Sequence, residues 1–131
     1  MAKTILTSNK LSPPAGIFSA GVSVPAGRMV FVSGQVARNA QGETVGKGNI
    51  RAQTTQTMEN VKTVLEAAGA TIDDVVKVTV FVTNVKDDLA AIHEVRAKYF
   101  KSDYPASTLV EVKSLVSEDL LIEIEAIAVT A

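Results

Sequence analysis

The chain has 131 residues, of which 47% are hydrophobic and 21% charged, the balance of one globular domain over 1–131 with its own core. Lys plus Arg number 13 and Asp plus Glu 14, which argues against a broad basic footprint for nucleic acid. There is no cysteine and a single histidine, so disulfides, thiolate nucleophiles, thiolate metal sites and multi-histidine zinc sites are excluded.

The first residues, MAKTILTSNKLSPPAG, are too polar for a signal peptide, and no apolar run approaches the roughly 20 residues of a membrane helix. A soluble, cytoplasmic protein is expected. Pro13-Pro14 ends an N-terminal arm. Residues 17–24 read as a strand, Pro25-Ala26-Gly27-Arg28 as a turn, and Met29 to Gly34 as the returning strand. The glycine-rich, polar stretch 38–48 is a loop. Its Gly42, Gly46 and Gly48 lack the spacing of a phosphate loop. Asn49 can cap a long helix that ends before Gly69, with Met58, Val61, Val64, Leu65 and Ala68 on its apolar face.

Val75 to Val82 is the clearest strand, with Val76, Val78, Val80 and Val82 on one face and Lys77, Thr79, Phe81 and Thr83 on the other. A second helix is expected from about Asp87 to Lys101, with Leu89, Ile92, Arg96, Tyr99 and Phe100 at helical spacing. Strands from Ser107 and from Leu120 to Thr130 complete the order ββαβαββ. This is an α+β layout with two helices on one face of a mixed sheet. In the last strand Ile122, Ile124, Ala126 and Ala128 should meet the helices. Leu121, Glu123, Glu125, Ile127 and Val129 form the other face, where Ser107, Leu109, Glu111 and Phe81 are expected to join them. Left bare, that face would be an apolar patch that monomers rarely tolerate, so a closed homo-oligomer is expected to bury it.

Glu123 and Glu125 lie two apart on a strand, so their side chains point the same way, with Cα atoms roughly 6.6 Å apart. A carboxylate among apolar groups can act as a general acid or base, although an interface ion pair is the commoner use. His93 borders the apolar face of the second helix, where a hydrogen-bonded core-edge role competes with a proton-transfer role. Ser107 has no nucleophile elbow around it and reads better as a pocket-lining hydroxyl.

Phe31-Val32-Ser33-Gly34-Gln35, Glu59-Asn60-Val61-Lys62 through Ala67-Ala68-Gly69, Val76 through Val82, Pro105-Ala106-Ser107 with Val110-Glu111-Val112, and Ile122 through Ala128 agree in order and spacing with the Rid family. The chain therefore resembles RidA/YjgF proteins, also called the endoribonuclease L-PSP family, over nearly its whole length. The resemblance implies a chorismate-mutase-like fold and a homotrimer, with sheets packed inward and clefts between subunits. It implies hydrolysis of small-molecule enamines and imines to carbonyl products and ammonia, with neither cofactor nor metal. It makes Glu123 the water-positioning glutamate, and Ser33 and Gly34 the strand end whose backbone faces the ligand.

Four positions depart from the family pattern. Ser107 stands where the family's Pro-Ala-Arg-Ser motif has the carboxylate-binding arginine, and Leu109 where a cysteine follows. Phe18 stands for the tyrosine of Gly-Pro-Tyr, and His93 for a pocket asparagine. An arginine grips a carboxylate through a charged fork, whereas serine offers one neutral hydroxyl. The expectation is a Rid-like hydrolase with Glu123 and His93 as catalytic residues and a non-standard substrate lined by Phe18, Ser33, Gly34, Ser107 and Leu109. A non-catalytic metabolite-binding or regulatory trimer is the alternative, and RNA cleavage a weaker one.

Overall fold

The computed structural model describes residues 2–131. Two helices cover one face of a four-stranded mixed sheet. The sheet strands are β3 (Arg28–Val36), β4 (Val75–Val82), β5 (Ala106–Glu111) and β6 (Ile122–Thr130), in the spatial order β3-β6-β4-β5. β6 is antiparallel to both neighbours, and β4 pairs in parallel with β5. Parallel neighbours need a crossover, and helix α2 (Val85–Arg96) supplies it.

Helix α1 (Ile50–Ala67) begins at Asn49, whose side chain accepts the Ala52 N–H at 3.0 Å. It stops at Gly69, where a φ of +73° suits a residue without a Cβ. Met58, Val61 and Leu65 of α1 and Ile92 of α2 pack against Val30, Val32, Val78, Val80, Ile122, Ile124, Ala126 and Ala128. The inward set expected for the last strand is thus the buried set. On β4 the alternation slips at Val75–Lys77, so Val75 is buried where Val76 was expected, and Val76 is half-buried. α2 is shorter than the expected 87–101 at its far end, because the backbone turns after Arg96 while Phe100 still folds back into the core.

The expected hairpin between 17–24 and 29–34 is not formed. Strand β2 covers only Gly21–Ser23 and pairs with β1 (Thr4–Leu6), a strand the sequence reading did not include. The Ser19 N–H donates to the Pro105 carbonyl at 3.0 Å, and the Ser19 hydroxyl donates to the Tyr104 carbonyl. These bonds lay residues 16–19 beside the start of β5, away from β3. No helix among the described residues is long and apolar enough to cross a membrane.

Gln53, fully buried on α1, ties distant segments together. Its amide donates to the carbonyls of Gly46 and Asp119 at 3.2 and 2.8 Å and accepts the Leu121 N–H at 2.8 Å. Replacing it by an apolar side chain leaves three part-buried main-chain groups without their partner. Gln53→Leu should cost about 3 kcal/mol of stability, against about 1 kcal/mol for loss of the Asn49 cap in Asn49→Ala. Urea unfolding of the two variants beside the parent protein measures both.

Candidate functional site

The parallel register of β4 and β5 decides where the chemistry lies. Ser107 pairs with Val78 and Leu109 with Val80, both buried on the helix-facing side. Thr108 and Val110 take the open side, where the Lys77 ammonium donates to the Thr108 hydroxyl at 2.7 Å. Ser107, Leu109 and Glu111 therefore do not share the face of Glu123, as alternation alone had suggested. Leu109 packs against the core, and Glu111 accepts the Val85 N–H at 2.9 Å at the start of α2. Val129 is also buried. The open face instead exposes Met29, Phe31 and Val110, with Phe81 and Ile127 half-buried between them.

Glu123 stands on that open face opposite Phe81. Beside it the ladder between β3 and β6 is interrupted between Val32 and Gln35, which places Ser33 and Gly34 in a bulge. The Glu123 carboxylate occupies the space over Gly34 that a Cβ would fill. A half-buried carboxylate thus packs directly on an exposed stretch of irregular backbone, an arrangement in which the carboxylate and the main-chain groups beside it can together bind a water or a small ligand.

The second group sits across the sheet, where the end of α2 meets the start of β5. The Arg96 guanidinium donates through Nη2 to the Ser107 hydroxyl at 3.2 Å and to the Ile17 carbonyl at 3.3 Å. It is 2% exposed and lies 5.9 Å from the centre of the Phe100 ring. Burial lowers its pKa to about 10, which leaves it cationic at neutral pH. His93, about one turn earlier, brings its ring edge against Gly16. His93 Nδ1 and Arg96 Nε are buried with no hydrogen-bond partner among the described residues. Phe18 belongs to the wall of an adjoining cavity of about 510 Å³, formed mainly by the N-terminal arm with Asp103 and Tyr104.

The structure thus brings His93 and Ser107 to one neighbourhood, with Phe18 close by on the arm, and gathers Glu123, Ser33 and Gly34 in another. Arg96 was missed as a site residue. Its signal was an arginine at core spacing in the apolar stripe of α2, a position that costs stability unless the charge is used. Among the described residues no cluster of His, Asp and Glu could hold a metal ion.

Two measurements follow from this geometry. Burial, and then the nearby Arg96 charge, lower the pKa of His93 from its ordinary 6.5. The folded state then binds fewer protons than the unfolded chain, so stability should fall as pH drops through 6.5 towards the folded-state value. NMR titration of the sole imidazole should give a midpoint below 6.5, and Arg96→Met should raise it. Gly34→Ala should force the Glu123 carboxylate from its position, seen as a shifted Glu123 side-chain carboxyl resonance with the core signals unchanged.

Residues 8–130 match the family model described as Endoribonuclease L-PSP. A RutC family protein of Pyrococcus abyssi is 41% identical, over 98% of each chain. A 2-iminobutanoate/2-iminopropanoate deaminase of Salmonella typhimurium is 40% identical, again over 98% of each. The crystal structure of YyfB, a Rid-family protein of Yersinia pestis, superimposes with a TM-score of 0.91 at 39% identity, covering 99% of this chain and all of that one. With the same order of motifs and two helices on a mixed sheet, the chain belongs to the Rid family, the endoribonuclease L-PSP family of the matching model.

Proposed function

We propose that the protein is a cofactor-independent deaminase that hydrolyses a small imine or enamine to a carbonyl compound and ammonia. The observation that carries this reading is the Glu123 carboxylate held against the Ser33–Gly34 bulge, in a chain similar from end to end to a protein named as an imine deaminase. In the reaction an enamine is first protonated to its iminium form. Glu123 orients a water and takes its proton as the oxygen bonds to the iminium carbon. The carbinolamine nitrogen then takes up a proton as its hydroxyl gives one up, the C–N bond breaks, and the nitrogen leaves as ammonia. Aligning the water and removing its proton are worth about 10²–10⁴ in rate together. His93, whose lowered pKa favours the neutral imidazole, can accept a proton and pass it to the departing amine.

Glu123 and Ser107 lie on opposite faces of one sheet, so a single protomer does not bring them to one pocket. In this reading the chain closes into a homotrimer. It would bury exposed Phe31, Met29 and Val110 and place the open face of one protomer against the β5 edge of the next. The substrate would then bind between subunits, with Ser33, Gly34 and Glu123 on one wall and Phe18, Ser107 and His93 on the other, while Leu109 stays turned to the core.

The test is ammonia release from 2-iminobutanoate and 2-iminopropanoate generated in situ, beside neutral imines. Glu123→Gln should lower turnover at least about 100-fold while the protein stays folded and assembled. Turnover that survives this substitution removes Glu123 from the mechanism. Absence of ammonia release from every imine, charged and neutral, would point to a metabolite-binding role instead. Sedimentation should give a trimer, and Phe31→Glu should break it.

A further inference from the structure

We propose that Arg96 is a carboxylate-binding residue, an anchor carried by α2 rather than by β5, so that the ligand is a small 2-oxo or 2-imino monocarboxylate. As a statement about substrate this rests on the deaminase reading; as a statement about binding it stands alone.

The argument begins with an unpaired charge. Arg96 is 2% exposed, yet no carboxylate pairs with it among the described residues. Its contacts are neutral and long, the Ser107 hydroxyl at 3.2 Å and the Ile17 carbonyl at 3.3 Å, both on Nη2. Its buried Nε has no partner among the described residues. A buried cation without an anion is costly, and the cost is recovered when an anion arrives. Nε and Nη2 lie on one edge of the planar guanidinium, the edge a carboxylate takes side-on through two parallel N–H···O bonds.

The surroundings fit a small organic acid. The Ile17 carbonyl belongs to the N-terminal arm, and it is the neutral acceptor that a carboxylate would displace. The same arm walls the adjoining cavity of about 510 Å³, to which Gly16, Phe18 and Tyr104 contribute; its lining holds no Lys or Arg and one carboxylate, Asp103, so Arg96 beside it is the cation on offer. A carboxylate at Arg96 leaves the carbon chain against Phe18. The serine at 107 then has a purpose: a small hydroxyl admits the guanidinium from α2 where a longer side chain would fill the space. Ser107 alone pointed to a non-standard substrate; a cation 3.2 Å from its hydroxyl lets the same position serve a carboxylate.

A purely structural Arg96 would brace the arm against β5 and would not discriminate between charged and neutral ligands. The experiment therefore compares 2-oxobutanoate with its neutral amide, by calorimetry, on the full chain. The parent protein should bind the acid at least about 10-fold more tightly than the amide. Arg96→Met should lower affinity for the acid about 10- to 100-fold and leave the amide unchanged. Ser107→Arg added to Arg96→Met should restore acid binding by returning a cation to β5.

Should Arg96→Met not fold, the arginine Nε–H resonances of the parent protein, with that of Arg96 identified from Arg96→Lys, give the same answer. The Arg96 signal should shift saturably with the acid and not with the amide. An unshifted signal, or tight acid binding in a folded Arg96→Met protein, overturns the assignment. Acid binding through Arg96 without ammonia release would reject the deaminase reading alone. Turnover of 2-imino acids that ignores Arg96→Met would reject the Arg96 assignment alone.

Discussion

The alternation of β6 is the constraint from which the rest of the molecule follows. This strand lies between β3 and β4 and is hydrogen-bonded on both edges. Its inward residues, Ile122, Ile124, Ala126 and Ala128, are buried beneath the helices. A slip of one residue would drive Glu123 and Glu125 into that core and turn the isoleucines outward, at the cost of desolvating two carboxylates. The core therefore fixes the position of Glu123 without any contact dedicated to it. The bulge in β3 and the missing Cβ of Gly34 supply the remaining requirement, room for the carboxylate itself.

A sheet between the two polar groups also keeps them apart. Glu123 stands on the open face, while Arg96 is buried on the helix side near the β5 edge. Within a protomer this placement prevents a direct ion pair, which would have tied the two groups to each other rather than to a ligand. Placement on opposite faces leaves the carboxylate beside polar backbone and the guanidinium among neutral acceptors. His93 feels the same field, since the neighbouring cation adds to burial in disfavouring its charged form.

Features coded by local period and local chemistry were legible in the sequence. The Asn49 cap, the stop at Gly69, the span of β4 and the inward face of β6 all depend on residues a few positions apart, and all appear as expected. The face of β5 was not legible. Leu109 and Val110 are both apolar, so alternation could not choose between them, and the choice comes from the parallel register with β4 about 29 residues away. Nor was the path of residues 16–19, because Ser19 bonds to main-chain groups at Tyr104 and Pro105 that no pattern foretells. Arg96 was visible as an anomaly, a charge in an apolar stripe, but its meaning depends on Ser107, which lies on another element and meets it only in the folded chain.

The strand order β3-β6-β4-β5 also bears on how the chain is made. Of the four sheet strands, β6, which joins β3 to β4, comes after the others in the chain, so a nascent chain holding only the residues before 122 would have β3 on one side and the β4–β5 pair on the other, with a gap between them. Gln53 would still lack its partner at Leu121. Helix α1 would have nothing to cover but separated, half-formed edges. Such a chain cannot settle progressively on the ribosome; it has to wait and then close in one cooperative step. Its long-range pairings place it among the slower folders for its size, and until that step its strand edges stay unpaired, the state in which edge-to-edge association is a hazard.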